Sequence, residues 1–262
     1  MYILKNARIY VGTGEVLENA SILVKDGKFA QVNVVDEIEC DVIDLQGKTI
    51  TPGLIDVHTH LGVFEDGVGQ DGHDFNEMSS PVTPHVRALD GINPNDLAFL
   101  DARKGGVTTV QIMPGSANVI GGEMVTVKTY GKIVDKMAIK KVSGLKAATG
   151  ENPRRVYGSK GKMPVTRMGV AALLRKKLVD GENYLKKLAE GKAERDLELE
   201  GIAKVLKREI PLRIHAHRSE DIQTALRIKR EFNIDITIEH CTEGHLIADY
   251  IAEHGVRVSV GP

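Results

Sequence analysis

The segment Ile55-Asp56-Val57-His58-Thr59-His60 places two imidazoles one residue apart inside a β-branched, apolar run. Side chains at i and i+2 of a strand face the same way, so His58 and His60 aim at one point. Two converging imidazoles suit a divalent metal, histidine being the commonest metal ligand. The pattern returns in Leu212-Arg213-Ile214-His215-Ala216-His217, and His240 closes Ile236-Thr237-Ile238-Glu239-His240. Five of the nine histidines therefore stand at the C-terminal ends of strand-like runs. In parallel α/β architectures that is the side on which sites form.

Strands that end together are needed to hold such a set. Residues 1–50 read as all-β, with short β-rich runs and a hairpin signal at Asp26-Gly27. From Thr51 onward the runs LIDVHTH, TTVQIMP, VTVKTY, SGLKAAT, LRIHAH, ITIEH and RVSV alternate with helical patterns. That rhythm predicts a parallel sheet, open or closed into a barrel. One helix is expected behind an Asn93 cap with Pro94 in its first turn, ending at Gly105-Gly106. A second covers 194–209, with Leu199, Ile202, Val205 and Leu206 on one face. Ser219-Glu220-Asp221 opens a third, and Thr242 caps a fourth that ends at Gly255. Residues 61–92 form a polar loop of a length usually tied to function or mobility, and its His73 and His85 read as exposed polar groups.

Composition narrows the classes. With 262 residues, 42% of them hydrophobic and 27% charged, the chain has an ordinary globular core in one large domain or one plus a small one. A net charge of −1 argues against a nucleic-acid or anionic-membrane partner. Cys40 and Cys241 make no disulfide framework, which points to a reducing compartment. The sequence carries neither a signal-peptide pattern nor an apolar run near the roughly 20 residues that span a bilayer, so a soluble, cytoplasmic protein is expected.

TPGLIDVHTH, GVTTVQIMPG, the HAH strand and the IEHC strand occur in that order over almost the whole chain. Together they resemble the metal-dependent amidohydrolase superfamily, most closely its imidazolonepropionase-like and prolidase-like branch. The resemblance implies an α/β fold, a (β/α)8 TIM-type barrel holding one or two divalent metal ions, usually Zn2+. It implies hydrolysis of amide or other C–N bonds, with a metal-activated water attacking a carbonyl. His58 and His60 match the first-strand metal ligands, His215 the fifth-strand ligand and His240 the sixth-strand ligand. The bridging ligand stays open between Lys146, which carbamylation would turn into a carboxylate, and Glu151 just past the same strand; GLKAATG favours the lysine slightly. His217, facing as His215 does, is a candidate either to support a metal ligand or to bind a small-molecule substrate, and Arg154, with Arg155 beside it, is a candidate bidentate donor for a substrate carboxylate. Residues 1–50 match the N-terminal portion of the family's β-sandwich, and 51–262 the barrel through about its seventh strand. Family members often associate as homo-oligomers.

The sequence departs from the pattern at RVSVGP. The family's last ligand, an eighth-strand aspartate that also serves as general base, has no counterpart here, so the catalytic base is unassigned. The expectation is a barrel incomplete at its C-terminal end: a truncated chain, one completed by a complementing C-terminal fragment, or a non-catalytic barrel with a binding or assembly role.

Overall fold

The computed structural model describes residues 1–34 and 38–261. The chain divides into two compact units, Met1–Leu54 and Ile55–Pro262.

The first unit is a five-stranded sheet. β1 (Tyr2–Tyr10) pairs antiparallel with β2 (Val16–Lys25), and β3 (Lys28–Val32) pairs antiparallel with β2. β4 (Asp41–Asp44) and β5 (Thr49–Ile50) both run parallel to β1. The β2–β3 turn is Asp26-Gly27, and both residues adopt positive φ, as this two-residue hairpin requires. Ala7, Ile9, Ala20, Ile22 and Val24 form its small core.

The second unit is built on a seven-stranded sheet whose neighbours follow chain order. Its strands are β6 (Leu54–Thr59), β7 (Val107–Ile112), β8 (Ile120–Lys128), β9 (Ala138–Ala148), β10 (Leu212–Ala216), β11 (Ile236–His240) and β12 (Arg257–Val260). β9 to β12 are parallel, in register Lys146 with Arg213 and His215 with Glu239. The helices are α1 (Ala88–Gly91), α2 (Leu97–Lys104), α3 (Val134–Met137), α4 (Glu151–Gly158), α5 (Arg167–Ala189), α6 (Leu197–Leu206), α7 (Ser219–Phe232) and α8 (Ala248–Glu253).

The uniformly parallel sheet expected from the strand–helix rhythm is not what forms. β8 runs antiparallel to both β7 and β9. The connection before β8 has no helix and the one after it only the single turn α3, whereas a parallel crossover needs a dozen or more residues. Two helix caps also differ from expectation. α2 is capped by Asp96, whose carboxylate accepts from the Ala98 backbone N–H, while Asn93 makes a turn one step earlier. The Thr242 hydroxyl lies on His217 at 2.7 Å, and the segment after it forms a short 3-10 turn before α8.

Alternation along the parallel strands separates two interiors. Leu212, Ile214, Ala216, Ile236 and Ile238 pack with Leu174, Leu178, Ile202, Val205, Ile222 and Leu226 from α5, α6 and α7 into the main apolar core. The other face carries Lys146, Arg213, His215 and Glu239, all buried. Arg213 donates to Glu239 on β11, to Gln111 on β7 and to the Val57 carbonyl on β6. Contacts from a single residue to strands that far apart show the sheet curled round a polar interior, as barrel closure requires. Among the described residues no buried side-chain nitrogen or oxygen lacks a hydrogen-bond partner, so this interior is satisfied. Among them, too, no helix is long and apolar enough to cross a membrane.

Candidate metal centre

Five histidine rings meet at the C-terminal ends of β6, β10 and β11. The centroids of His58 and His60 are 5.7 Å apart, and those of His58 and His240 are 4.7 Å apart. His215 lies 4.5 Å from His217 and 4.6 Å from His240, and His217 stacks on His240 at 4.8 Å. Plain alternation would turn His240 away from Glu239, its inward-facing neighbour. His240 and Cys241, neither of them glycine, instead take left-handed backbone angles, φ 68° and 49°. That turn brings the His240 ring round to the others, at an expected cost of order 1–3 kcal/mol per residue.

Four of the rings are held by their Nδ1 atoms. The His58 Nδ1–H donates to the Glu239 carboxylate at 2.8 Å, and the His60 Nδ1–H donates to the Met113 carbonyl at 2.8 Å. His215 Nδ1 is 2.9 Å from Ser116 Oγ, and the Asn152 amide N–H donates to its Nε2 at 3.2 Å. His217 Nδ1 is bound to Thr242 Oγ1. A carbonyl or carboxylate partner fixes the tautomer, leaving the Nε2 lone pair as the ligand. Burial pushes His60 down to about 4, its bond to Met113 opposes the shift, and Lys146 lowers it further. Burial and then Lys146 hold His215 still lower. Both imidazoles are neutral at pH 7, the form that binds a cation. The donor set therefore fits a divalent metal.

Glu239 is completely buried. Burial pushes its carboxyl up, but hydrogen bonds from His58 and Arg213 outweigh that and leave it well below the usual range. It is a fixed negative charge behind His58, itself clamped by both Nε and Nη2 of Arg213.

Of the two candidates for the bridging position, Lys146 is fully buried, with Nζ 3.4 Å from Met113 Sδ. Burial draws its amine down to about 7; Glu239 opposes the shift and Arg213 adds to it. Glu151 opens α4 and lies 3.8 Å from Arg167, and it is its neighbour Asn152 that reaches His215. Arg154 is half-buried on the same helix, and among the described residues its side chain has no hydrogen bond or ion pair. From the long loop, Phe75 packs 5.4 Å from His60, and His73 stacks on Phe64, which touches Phe75 edge-on. His85 lies 3.7 Å from Glu198, on α6.

Arg213, Glu239, Asn152 and Ser116 also support these rings, and none of them follows from the histidine spacing. For the first two a signal existed: Arg213 shares a face with His215 in a strand whose other residues are apolar, so an ion-pair partner on the next strand was to be sought. Asn152 and Ser116 reach His215 from loops and helix starts, where spacing carries no facing rule.

A crystal structure of an amidohydrolase from Thermotoga maritima MSB8 is 44% identical to this chain, superposes with a TM-score of 0.94, and is covered to 70% of its length by the whole of this chain. The amidohydrolase tasK of Hapsidospora irregularis is 28% identical over 278 residues, which are 94% of this chain and 28% of that protein. A dihydroorotase of Bacillus thuringiensis (strain Al Hakam) is 33% identical over 120 residues, 45% of this chain and 22% of that protein. The chain thus spans less than a third of the length of these curated relatives. No family model matches.

Proposed function

This chain belongs to the amidohydrolase superfamily, and we propose that it forms the metal-binding part of a hydrolase that cleaves amide or other C–N bonds in a small-molecule substrate. The observation that carries the reading is the pair of Nδ1 hydrogen bonds, from His58 to a carboxylate and from His60 to a carbonyl, which orient their Nε2 lone pairs for a cation beside the rings of His215 and His240. A divalent ion, zinc by the all-histidine chemistry, held by His58, His60, His215 and His240, would supply an activated water and polarise the scissile carbonyl.

The chain's own residues prepare that chemistry. Glu239 and the Met113 carbonyl fix the His58 and His60 tautomers. Burial keeps His60 and His215 uncharged, so they do not repel a cation. Lys146, with an amine drawn to about 7, offers the neutral nitrogen that carbamylation requires, and we favour it over Glu151 as the bridging group of a two-metal site. Phe75 beside His60 supplies an apolar wall that excludes water. Arg154, half-buried and unpaired among the described residues, is the guanidinium we assign to a substrate carboxylate. In this reading residues 51–262 are the hydrolase barrel and 1–50 a β-sandwich portion. Cys40 and Cys241, both free thiols, suit the reducing cytoplasm in which we place it.

The test is a turnover screen of cyclic amides, dipeptides and N-acyl amino acids with zinc present, comparing the protein with His58→Ala and His240→Ala. Hydrolysis by the parent and its loss in both variants is the expected outcome. Undiminished turnover in either variant would overturn the reading.

A further inference from the structure

We propose that the cavity between α2 and the turn after β8 is a second ligand site, separate from the metal centre, for a small aromatic carboxylate. It does not depend on the metal reading above.

The cavity measures about 480 Å³, within the range of pockets that hold small organic molecules. Phe99, itself buried, forms part of the wall with Leu97 and Leu100 of the same helix, which are 61% and 42% exposed. Tyr130, 80% exposed, lines it from the turn. Large apolar side chains gain by leaving water, so three of them left open round one concavity mark a place for an apolar group. The turn is held in place. The Thr129 N–H donates to the Thr108 carbonyl at 3.1 Å, and the Thr129 carbonyl accepts from the Arg103 guanidinium. A Cβ on Gly131, whose φ is 148°, would overlap the Met137 side chain of α3, so the turn sits directly on that helix.

Charge sets the other end of the ligand. The Arg103 guanidinium lies 5.7 Å from the Tyr130 ring centroid, and Lys132 lines the same cavity. Among the described residues neither cation has a carboxylate partner. The acid on the wall, Asp96, is buried and already accepts from the backbone N–H groups of Gly62, Asp66 and Ala98. Two cations thus go unmatched beside an apolar wall and an open ring. A guanidinium grips a carboxylate with two donors, and an ammonium adds a second positive charge. The Tyr130 ring offers an offset or edge-on contact to another aromatic ring. The complementary molecule is an aromatic ring carrying a carboxylate on a short arm. It would not touch the metal centre: Met113, just past the C-terminal end of β7, holds His60, whereas Thr108, near the start of β7, holds the turn. Five residue steps of a strand separate them by roughly 17 Å.

Indole-3-propionate is the probe. The chain has no tryptophan, so indole emission reports the ligand alone. Titration of the full chain supplied with zinc, followed by fluorescence anisotropy, is expected to show one saturable site. Tyr130→Ala removes the ring contact and Lys132→Glu reverses a charge, and each is expected to weaken binding about tenfold. Exchanging the probe for 3-ethylindole, which keeps the ring and lacks the carboxylate, is expected to weaken it about tenfold or more. His58→Ala is expected to bind the probe as the parent does, which separates this site from a carboxylate held at the metal centre. The proposal is overturned by no saturable binding at millimolar probe, by equal affinity for 3-ethylindole, by unchanged binding in either Tyr130→Ala or Lys132→Glu, or by loss of binding in His58→Ala. The 3-ethylindole comparison uses the parent chain and holds even if a variant does not fold.

Discussion

Lys146 gives the sharpest stability test. Its side chain is fully buried on the polar face of β9, and its amine is drawn from 10.5 to about 7, chiefly by burial. Each pKa unit is worth about 1.4 kcal/mol, so the folded chain carries a penalty of roughly 5 kcal/mol below pH 7. At pH 7 itself, where about half the folded molecules are already neutral, the penalty is about 4 kcal/mol. The sign follows from proton counts. Between about 7 and 10.5 the unfolded lysine is protonated and the folded one is not, so the unfolded state binds more protons and stability rises with pH. Methionine has similar length and no charge. Lys146→Met is therefore expected to stabilise the metal-stripped chain by up to about 4 kcal/mol at pH 7, with the gain shrinking toward zero near pH 10.5. Urea unfolding followed by circular dichroism, in buffers free of carbon dioxide at several pH values from 7 to about 10, reads both the gain and its slope. A variant less stable than the parent at pH 7, or a difference that does not change with pH, would show that burial does not depress the Lys146 amine.

Other perturbations have simpler readouts. Glu239→Gln removes the charge behind His58 and leaves Arg213 without its carboxylate; zinc affinity is expected to fall about 10–100-fold, and unchanged affinity in a chelator competition would contradict a positioning role. Leu174→Ala empties part of the core between α5 and the sheet and is expected to cost about 2–5 kcal/mol in urea unfolding, with no effect on metal affinity. Asp196→Ala removes the oxygen that accepts from the Leu199 N–H at the start of α6, and about 1 kcal/mol should be lost in the same assay.

The histidine pattern was legible because it lies on strands, where period-two facing and the common C-terminal edge turn spacing into geometry. The helix opened by Ser219 was legible for a similar local reason, a polar start with acids in the first turn. The direction of β8 was not, since its sequence is as β-rich as its neighbours and only the short connections on either side settle it. Nor was the fate of the Thr242 hydroxyl, because a cap in sequence and a hydrogen bond to His217 compete for one oxygen, and the left-handed turn decides between them. The buried Arg213–Glu239 pair was visible in the letters, but only the register of β10 against β11, together with the curl that brings His58 alongside, gives it a role.

The most direct test of the metal centre is elemental analysis of the purified protein after dialysis against zinc, beside its His58→Ala and His240→Ala variants. One or two tightly held ions per chain are expected in the parent, with a clear loss in each variant. A parent that retains no metal after zinc is supplied, or variants that hold as much as the parent, would contradict the metal assignment.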